Sequence, residues 1–508
     1  MLSCITPLIL GVNRRVLFIV FIFTVFASCT KERLIFDSPA NEKLELPLLF
    51  NINNKACVLD MSIREFKYSI PSPQVNQFSP KVDFQDESKV YFEGIELHNH
   101  MTNDWGSIEI NKAYNLVFES NGATTSFQLF FTTLPIVQIV SLSPIEDEPK
   151  SLARLILNYP NNQKESVNSL VGVEVRGAYS VNFPKSSYGF KGLNSLNIED
   201  EKLLSFFDMD ESSAWILDAM YADKSKLRNK TSFEIWNSLV NAGSSLNYHG
   251  IRSEFVEVFY NYESLGIYCL NEKYTKENMQ LNPQSLLISG KLNDGDTYFY
   301  NLPLSNHQNT YWGNWEQKIP EPEEGLHWGR FEGLVNLMVN GSDPAVNINI
   351  ESYLNIDLMV DYYLFISLCS GYDNVGKNWL FLQEQTGKPF EVLPWDMDAT
   401  WSRYHHGDIL GPDVIITNGL FHRLIQLNAA QFKDKVKARW LDLRQVQFSS
   451  SELKQKFAAN FEILLKADVE RTETRLWGEN QSLAEEQLII NNWIDNRLIF
   501  LDNYLSNL

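Results

Sequence analysis

Residues Cys369 to Trp401 read CSGYDNVGKNWLFLQEQTGKPFEVLPWDMDATW. Two phosphate-handling patterns overlap in these letters. GYDNVGKN falls one residue short of the nucleotide cradle G-x-x-x-x-G-K-[ST], with Asn378 in place of the metal-binding hydroxyl. The same letters set Asp373 and Asn378 five residues apart. A nucleotide cradle needs a strand that feeds a glycine-rich turn opening a helix, so that backbone amides aim at the phosphates. Here a helical pattern precedes Gly371. WLFLQEQ, TGKP and FEVLPWD follow, two apolar-aromatic runs about a glycine turn, which is the pattern of a β-hairpin. The cradle reading of Gly371, Gly376 and Lys377 fails on that context.

The Asp-to-Asn spacing is that of a protein kinase catalytic loop. There the Asp orients the acceptor hydroxyl and takes its proton, while the Asn holds a Mg²⁺. A second Asp, reached after a hairpin, holds the metal that bridges the phosphates. Asp373 and Asn378 fit the first two roles, and Asp396 arrives at the end of the predicted hairpin. Asp398 shares a face with Asp396 if the strand continues, completing a hard oxygen shell suited to Mg²⁺ or Mn²⁺. The blander reading of WDMD is a structural Ca²⁺ site or a loop cap beside Trp395 and Trp401. Asp373 and Asn378 just upstream favour catalysis.

Outward from this block, a helix is predicted from Glu351 to Cys369, and the last hundred residues are mostly helical, as in NAAQFKDKVKARWLDLRQ and EEQLIINNWIDNRLIFLDNYL. KSKLRNKTSFEIWNSLVNAG is another helix, with Leu227, Phe233, Ile235, Trp236 and Leu239 in its apolar stripe, Asp223 or Ser225 as cap and Gly243 as stop. Residues 281–345, rich in Asn, Gly, Pro and Trp, read as long loops or an insertion. From about Thr30 to Pro144 short alternating segments such as KVYFEGIEL and YNLVFES predict half-buried strands, hence an N-terminal all-β, sandwich-like domain over 30–145. The charged joint Ile145–Lys150 reads as a boundary, followed by an α+β domain over 150–508 with a helical C-terminal part.

Asn13-Arg14-Arg15, the apolar run Val16 to Ala27 and then Ser28-Cys29 describe a signal peptide over 1–29. Its Ala-Ser-Cys ending looks like a lipoprotein cleavage site, which predicts a lipid on Cys29, export, and attachment to a membrane surface in the cell envelope. Cys57, Cys269 and Cys369 remain, an odd and well-spread set that reads as buried free thiols. With 508 residues the chain has room for two or three domains, and its formal charge of −20 argues against nucleic-acid binding. His98-Asn99-His100 reads as two surface histidines on a strand-like segment, and His405-His406 as a loop near the proposed site.

DNVGKNWLFL, FEVLPWDMDATW, RGAYSVNFPKSSYGFK, KLRNKTSFEIWNSL and GIYCLNEKY, in their relative order, resemble the CotH (spore coat protein H) family of atypical protein kinases. The resemblance covers roughly Ser151 to the C-terminus and leaves the β-rich part outside. It implies an α+β kinase-like domain using ATP and Mg²⁺ or Mn²⁺, with Asp373 catalytic, Asn378 holding metal or phosphate, Asp396 holding metal, and Asp398 beside them. Lys185, in FPKSSY, would neutralise ATP phosphates. Glu272, after the G-x-Y motif, would pair that lysine or bind metal. Arg176 and Arg228 occupy matching basic positions as nucleotide-binding candidates, although Arg228 could instead anchor its helix through an acidic neighbour. The sequence departs from the family at Ser402, where Gly is frequent, and at Lys377, where His is frequent. The implied activity is transfer of the ATP γ-phosphoryl to Ser or Thr hydroxyls of envelope or surface proteins. The alternative is an inactive kinase-like lipoprotein that binds a glycan or protein.

Overall fold

The computed structural model describes residues 50–508, apart from 121, 161–163, 178–179, 244–249, 305–309, 405–406 and 479–481. The leader with Cys29 and the His405-His406 pair lie outside the described residues. Among these residues, no helix is long and apolar enough to cross a membrane.

The N-terminal part is β-rich. A three-stranded sheet (Lys55–Ala56, Phe50–Ile52, Val82–Phe84) faces a six-stranded one in which Ala123–Thr132 lies between Glu65–Ser69 and Tyr114–Ser120. The predicted alternation holds in detail: Tyr114, Leu116 and Phe118 turn inward with Val90 and Phe92. Ile95 does not: it follows the tight turn at Glu93 and Gly94, both at positive φ, onto the short edge strand Ile95–Glu96, where it is exposed. Phe50 joins the sheets, its ring 6.0 Å from Phe66 and 5.7 Å from Phe118.

Next comes a closed barrel of seven strands. Around it run Val167–Arg176, Ser151–Asn158, Ile136–Ser141, Ser253–Tyr260, Glu263–Glu272, Trp215–Asp218 and Ser187–Leu193, which returns to Val167–Arg176. Closure removes free sheet edges, and the inward rows Leu155, Leu157, Val171, Val173, Phe190, Trp215, Val256, Val258 and Leu270 fill the interior. The strand Ile136–Ser141 precedes the charged joint yet pairs with both Ser151–Asn158 and Ser253–Tyr260. The joint at 145–150 is therefore a loop between two barrel strands. Charge and proline mark a chain reversal as readily as a linker, which is why composition alone misplaced the boundary.

The C-terminal part is built on the Ile356–Cys369 helix, in which every residue from Leu358 to Cys369 is buried. Such a helix is apolar all round because neighbours cover every side. The predicted Glu351–Cys369 helix is in fact two, Asp343–Tyr353 and Ile356–Cys369, divided where Asn355 caps the second by accepting the Leu358 N–H. Trp379–Gln383 and Glu391–Pro394 form the predicted hairpin. Residues 281–345 are more than loops. Leu286–Gly290, Tyr311–Trp312 and Trp315–Ile319 extend that hairpin to five strands, and Trp315, Phe331, Trp379 and Phe381 pack one aromatic cluster between sheet and helices. The tryptophans that looked like loop residues are core. From Gly419 on the chain is helical, ending in Leu483–Ser506.

Candidate functional site

The Ile356–Cys369 helix stops at Ser370, which takes a left-handed conformation, and a short 3₁₀ turn over Tyr372–Val375 delivers Asp373. Asp373 is only 3% exposed. Its Oδ1 accepts a hydrogen bond from Asn293 Nδ2 at 2.7 Å, and its Oδ2 lies 3.2 Å from Lys377 Nζ. Asn293 Oδ1 in turn accepts the Lys377 N–H at 2.9 Å, so one amide pins the carboxylate and the turn that carries it. Gly376 permits that approach, since a Cβ there would lie 2.9 Å from Asn293 Oδ1.

Asn378 leads into the hairpin and Asp396 leaves it, both at its open end, where Trp379 pairs with Pro394. Both take left-handed backbone, φ +59° and +53°, which Asn and Asp tolerate better than other side-chain-bearing residues. Asn374 clamps the two ends: its Nδ2 donates to Asn378 O at 2.9 Å and to Trp395 O at 2.7 Å. The WDMD loop is held from the barrel side as well. Asn229 accepts the Met397 N–H at 2.9 Å and donates to Asp218 Oδ2 at 3.2 Å.

Asp396 and Asp398 are half-buried. Desolvation and then Asp218 push the Asp396 carboxyl up to about 6. Desolvation, Asp396, Asp218, Asp223 and Asp373 push Asp398 well above the carboxylate range. Lys377 and Arg176 oppose the shift at Asp396. Among the described residues no three His, Cys, Asp or Glu side chains converge as a ready-made metal shell. The available donors are two strained-up carboxylates and the Asn378 amide oxygen, a set that leaves room for water or phosphate oxygens.

The remaining predicted residues separate. Arg176 ends a barrel strand near enough to Asp396 for its charge to oppose the rise of that carboxyl. Glu272 ends another, but its partner is Arg252 at 2.6 Å rather than Lys185. The partner of Lys185 is Glu473, from the Val469–Trp477 helix, with both carboxylate oxygens at 2.9 Å. The G-x-Y motif serves this pair. Tyr268 lays its ring 4.6 Å from Lys185 Nζ, and Gly266, at φ +83°, makes way for Glu473, whose Oε1 would lie 2.5 Å from any Cβ. Arg228 is fully buried and does anchor its helix. It donates to Ser225 Oγ, Thr400 O and Glu486 Oε2 at 2.9, 3.0 and 3.0 Å, and pairs with Asp223 at 2.5 Å. Ser402, at φ +87°, holds a backbone shape natural to glycine, which accounts for the Gly frequent there in similar sequences.

Sequence reasoning passed over Asp218, Asn229, Asn293, Asn374 and Glu473. Asn229 and Asn374 carried a signal, inside the LRNK and DNVGKN blocks. The three cysteines are free and buried, as expected. His98-Asn99-His100 lies in a turn, with His100 bonded to Asp83 and Asp86.

Residues 173–501 match the family model described as CotH kinase protein, more than half of the chain. The chain belongs to the CotH family. It is also similar to the inner spore coat protein H of Bacillus subtilis (strain 168), 24% identical over 312 residues, which cover 57% of this chain and 78% of that protein. The CotH region takes in most of the barrel, the hairpin and nearly all of the C-terminal helices, and so contains Asp373, Asn378, Asp396, Asp398, Lys185 and Glu473 together.

Proposed function

We propose that this CotH protein is a protein kinase that moves the γ-phosphoryl group of ATP to Ser or Thr hydroxyls of proteins at a cell surface. The observation that supports the reading is that Asp373, Asn378, Asp396 and Asp398 ride on one 3₁₀ turn and the open end of one hairpin, near enough for Asp373 and Asp396 to act on the Asp398 carboxyl. The donor set fits a hard divalent cation, because carboxyls whose ionised form is disfavoured by burial and by neighbouring carboxylates are relieved by a positive neighbour. Asn378, Asp396 and Asp398 would hold Mg²⁺ or Mn²⁺, which would neutralise phosphate charge.

The chain's own residues then divide the work. Asp373, fixed by Asn293 and Lys377, orients the acceptor hydroxyl and takes its proton. The acceptor oxygen forms a bond to the γ-phosphorus as the bond to the β–γ bridging oxygen breaks, and ADP leaves. Arg176 contributes positive charge on the barrel side. Glu272 is held by Arg252 and Arg228 by its acidic neighbours, so both support the site through packing.

The location follows from two lines: the Ala-Ser-Cys29 leader points to a lipid-anchored envelope protein, and the Bacillus relative is a spore coat protein. Incubation with γ-labelled ATP and Mg²⁺ or Mn²⁺, followed by mass spectrometry of the protein and its neighbours, tests the activity. Phosphorylated Ser or Thr is expected with wild type and not with Asp373→Ala.

One observation favours a second reading, a kinase-like lipoprotein that binds a partner without transfer. The Lys185 side chain, the expected phosphate contact, has no exposure at all. Calorimetry with ATP and Mg²⁺ separates the two, since absence of metal-dependent nucleotide binding would establish the second.

A further inference from the structure

Lys185 and Lys377 differ in what their ammonium groups have left to offer. An ammonium has three N–H donors. Those of Lys185 face Ile267 O at 2.6 Å and the two Glu473 oxygens at 2.9 Å each, above the Tyr268 ring, with the side chain sealed from solvent. Releasing it would strand Glu473 in the interior with Lys226, 4.0 Å away, and the Ile267 N–H, 3.0 Å away.

Lys377 is the opposite case. Its side chain is 36% exposed, and its one ion pair among the described residues is the 3.2 Å contact with Asp373 Oδ2. Its backbone is fixed by Asn293, so the side chain is delivered reproducibly. It stands four residues after the proposed base and one before the proposed metal ligand Asn378, facing Asp373, Asp396 and Asp398. A triphosphate set against those carboxylates needs a cation where its end meets the acceptor.

We propose that Lys377 is the residue that contacts the terminal phosphate of the nucleotide, and that Lys185 is an internal strut joining the barrel to the Val469–Trp477 helix. The assignment rests on the kinase reading above and moves the phosphate contact from the residue the family resemblance indicated.

The test uses the full-length protein and compares ATP with ADP by calorimetry in Mg²⁺. Loss of a charge-assisted bond to the terminal phosphate predicts that Lys377→Gln binds ATP about 10- to 100-fold more weakly while ADP affinity stays within about threefold. Lys377→Arg should restore most of the ATP affinity. The double variant Lys185→Met/Glu473→Leu, which removes both buried charges, should keep ATP affinity within about threefold of wild type.

Equal losses for ATP and ADP in Lys377→Gln, or no loss, would overturn the proposal, and that ratio decides even if the double variant does not fold. A folded double variant that no longer binds ATP would overturn it too. Failure of wild type to bind either nucleotide would sink the kinase reading and this assignment together, a result distinct from a defect confined to the variants.

Discussion

Asp373 and Asp396 carry different chemistry on similar side chains. Asp373 is anchored by an amide and an ammonium, whereas burial and then the Asp218 carboxylate raise the Asp396 carboxyl. Phosphoryl transfer is positioning plus electrostatics, so Asp373→Ala and Asp396→Ala are each expected to lower kcat by about 10³-fold or more, with melting temperatures not reduced by more than a few degrees. A near-normal rate in either variant rules out its role. The raised carboxyl at Asp396 also sets a pH dependence. From about pH 4 to about pH 6 the native state keeps a proton that the unfolded chain has released, so stability falls as pH rises through that window and stays lower above it. Asp398 titrates with it as a pair. Without divalent ions, Asp396→Asn should therefore melt above wild type at pH 8, with the gap closing near pH 4. Scanning calorimetry at both pH values is the check, and identical melting temperatures at pH 8 would contradict the assigned shift.

Elements are tied together by buried ions more than the sequence disclosed. The Arg228–Ser238 helix is riveted through Arg228 to Asp223, to the Thr400 and Trp401 carbonyls and to Glu486 on the last helix. Arg228→Met leaves two buried carboxylates short of a partner and should cost about 3–5 kcal/mol in urea unfolding. A loss below about 1 kcal/mol would mean the network is not structural. Gly266→Ala places a methyl against Glu473 at a left-handed position, and a cost of roughly 1–3 kcal/mol or more is expected from the same measurement. The hairpin was legible because two apolar runs around Thr386-Gly387 can only fold back on each other. The Lys185–Glu473 pair was not, because 288 residues separate its members and no local pattern announces either.

At the scale of the whole molecule, the barrel joins the β-rich part to the helical C-terminal part. Besides the strand Ile136–Ser141, contacts run from Met61 N–H to Tyr262 O at 2.8 Å and from Asn111 to Lys466 O at 3.0 Å. A fragment starting at Ser151 lacks a barrel strand, exposing two sheet edges and the apolar rows beneath. It should aggregate or bind a hydrophobic dye, whereas a fragment starting at Leu134 should elute as a compact species. Size-exclusion chromatography and dye fluorescence distinguish them, and a monomeric Ser151 fragment with native circular dichroism would show that the strand is dispensable.

The sequence by itself determined the local chemistry: the D-x-x-x-x-N spacing, the hairpin, the WDMD end and the helices around them. Each is a property of neighbours along the chain, set by side-chain periodicity and turn residues. Only the tertiary structure decided which distant charges meet. It gave Lys185 to Glu473, Glu272 to Arg252, Arg228 to Glu486 and the Ile136–Ser141 strand to the barrel. Burial makes an ion choose the partner that best replaces water, and that partner can lie anywhere along the chain.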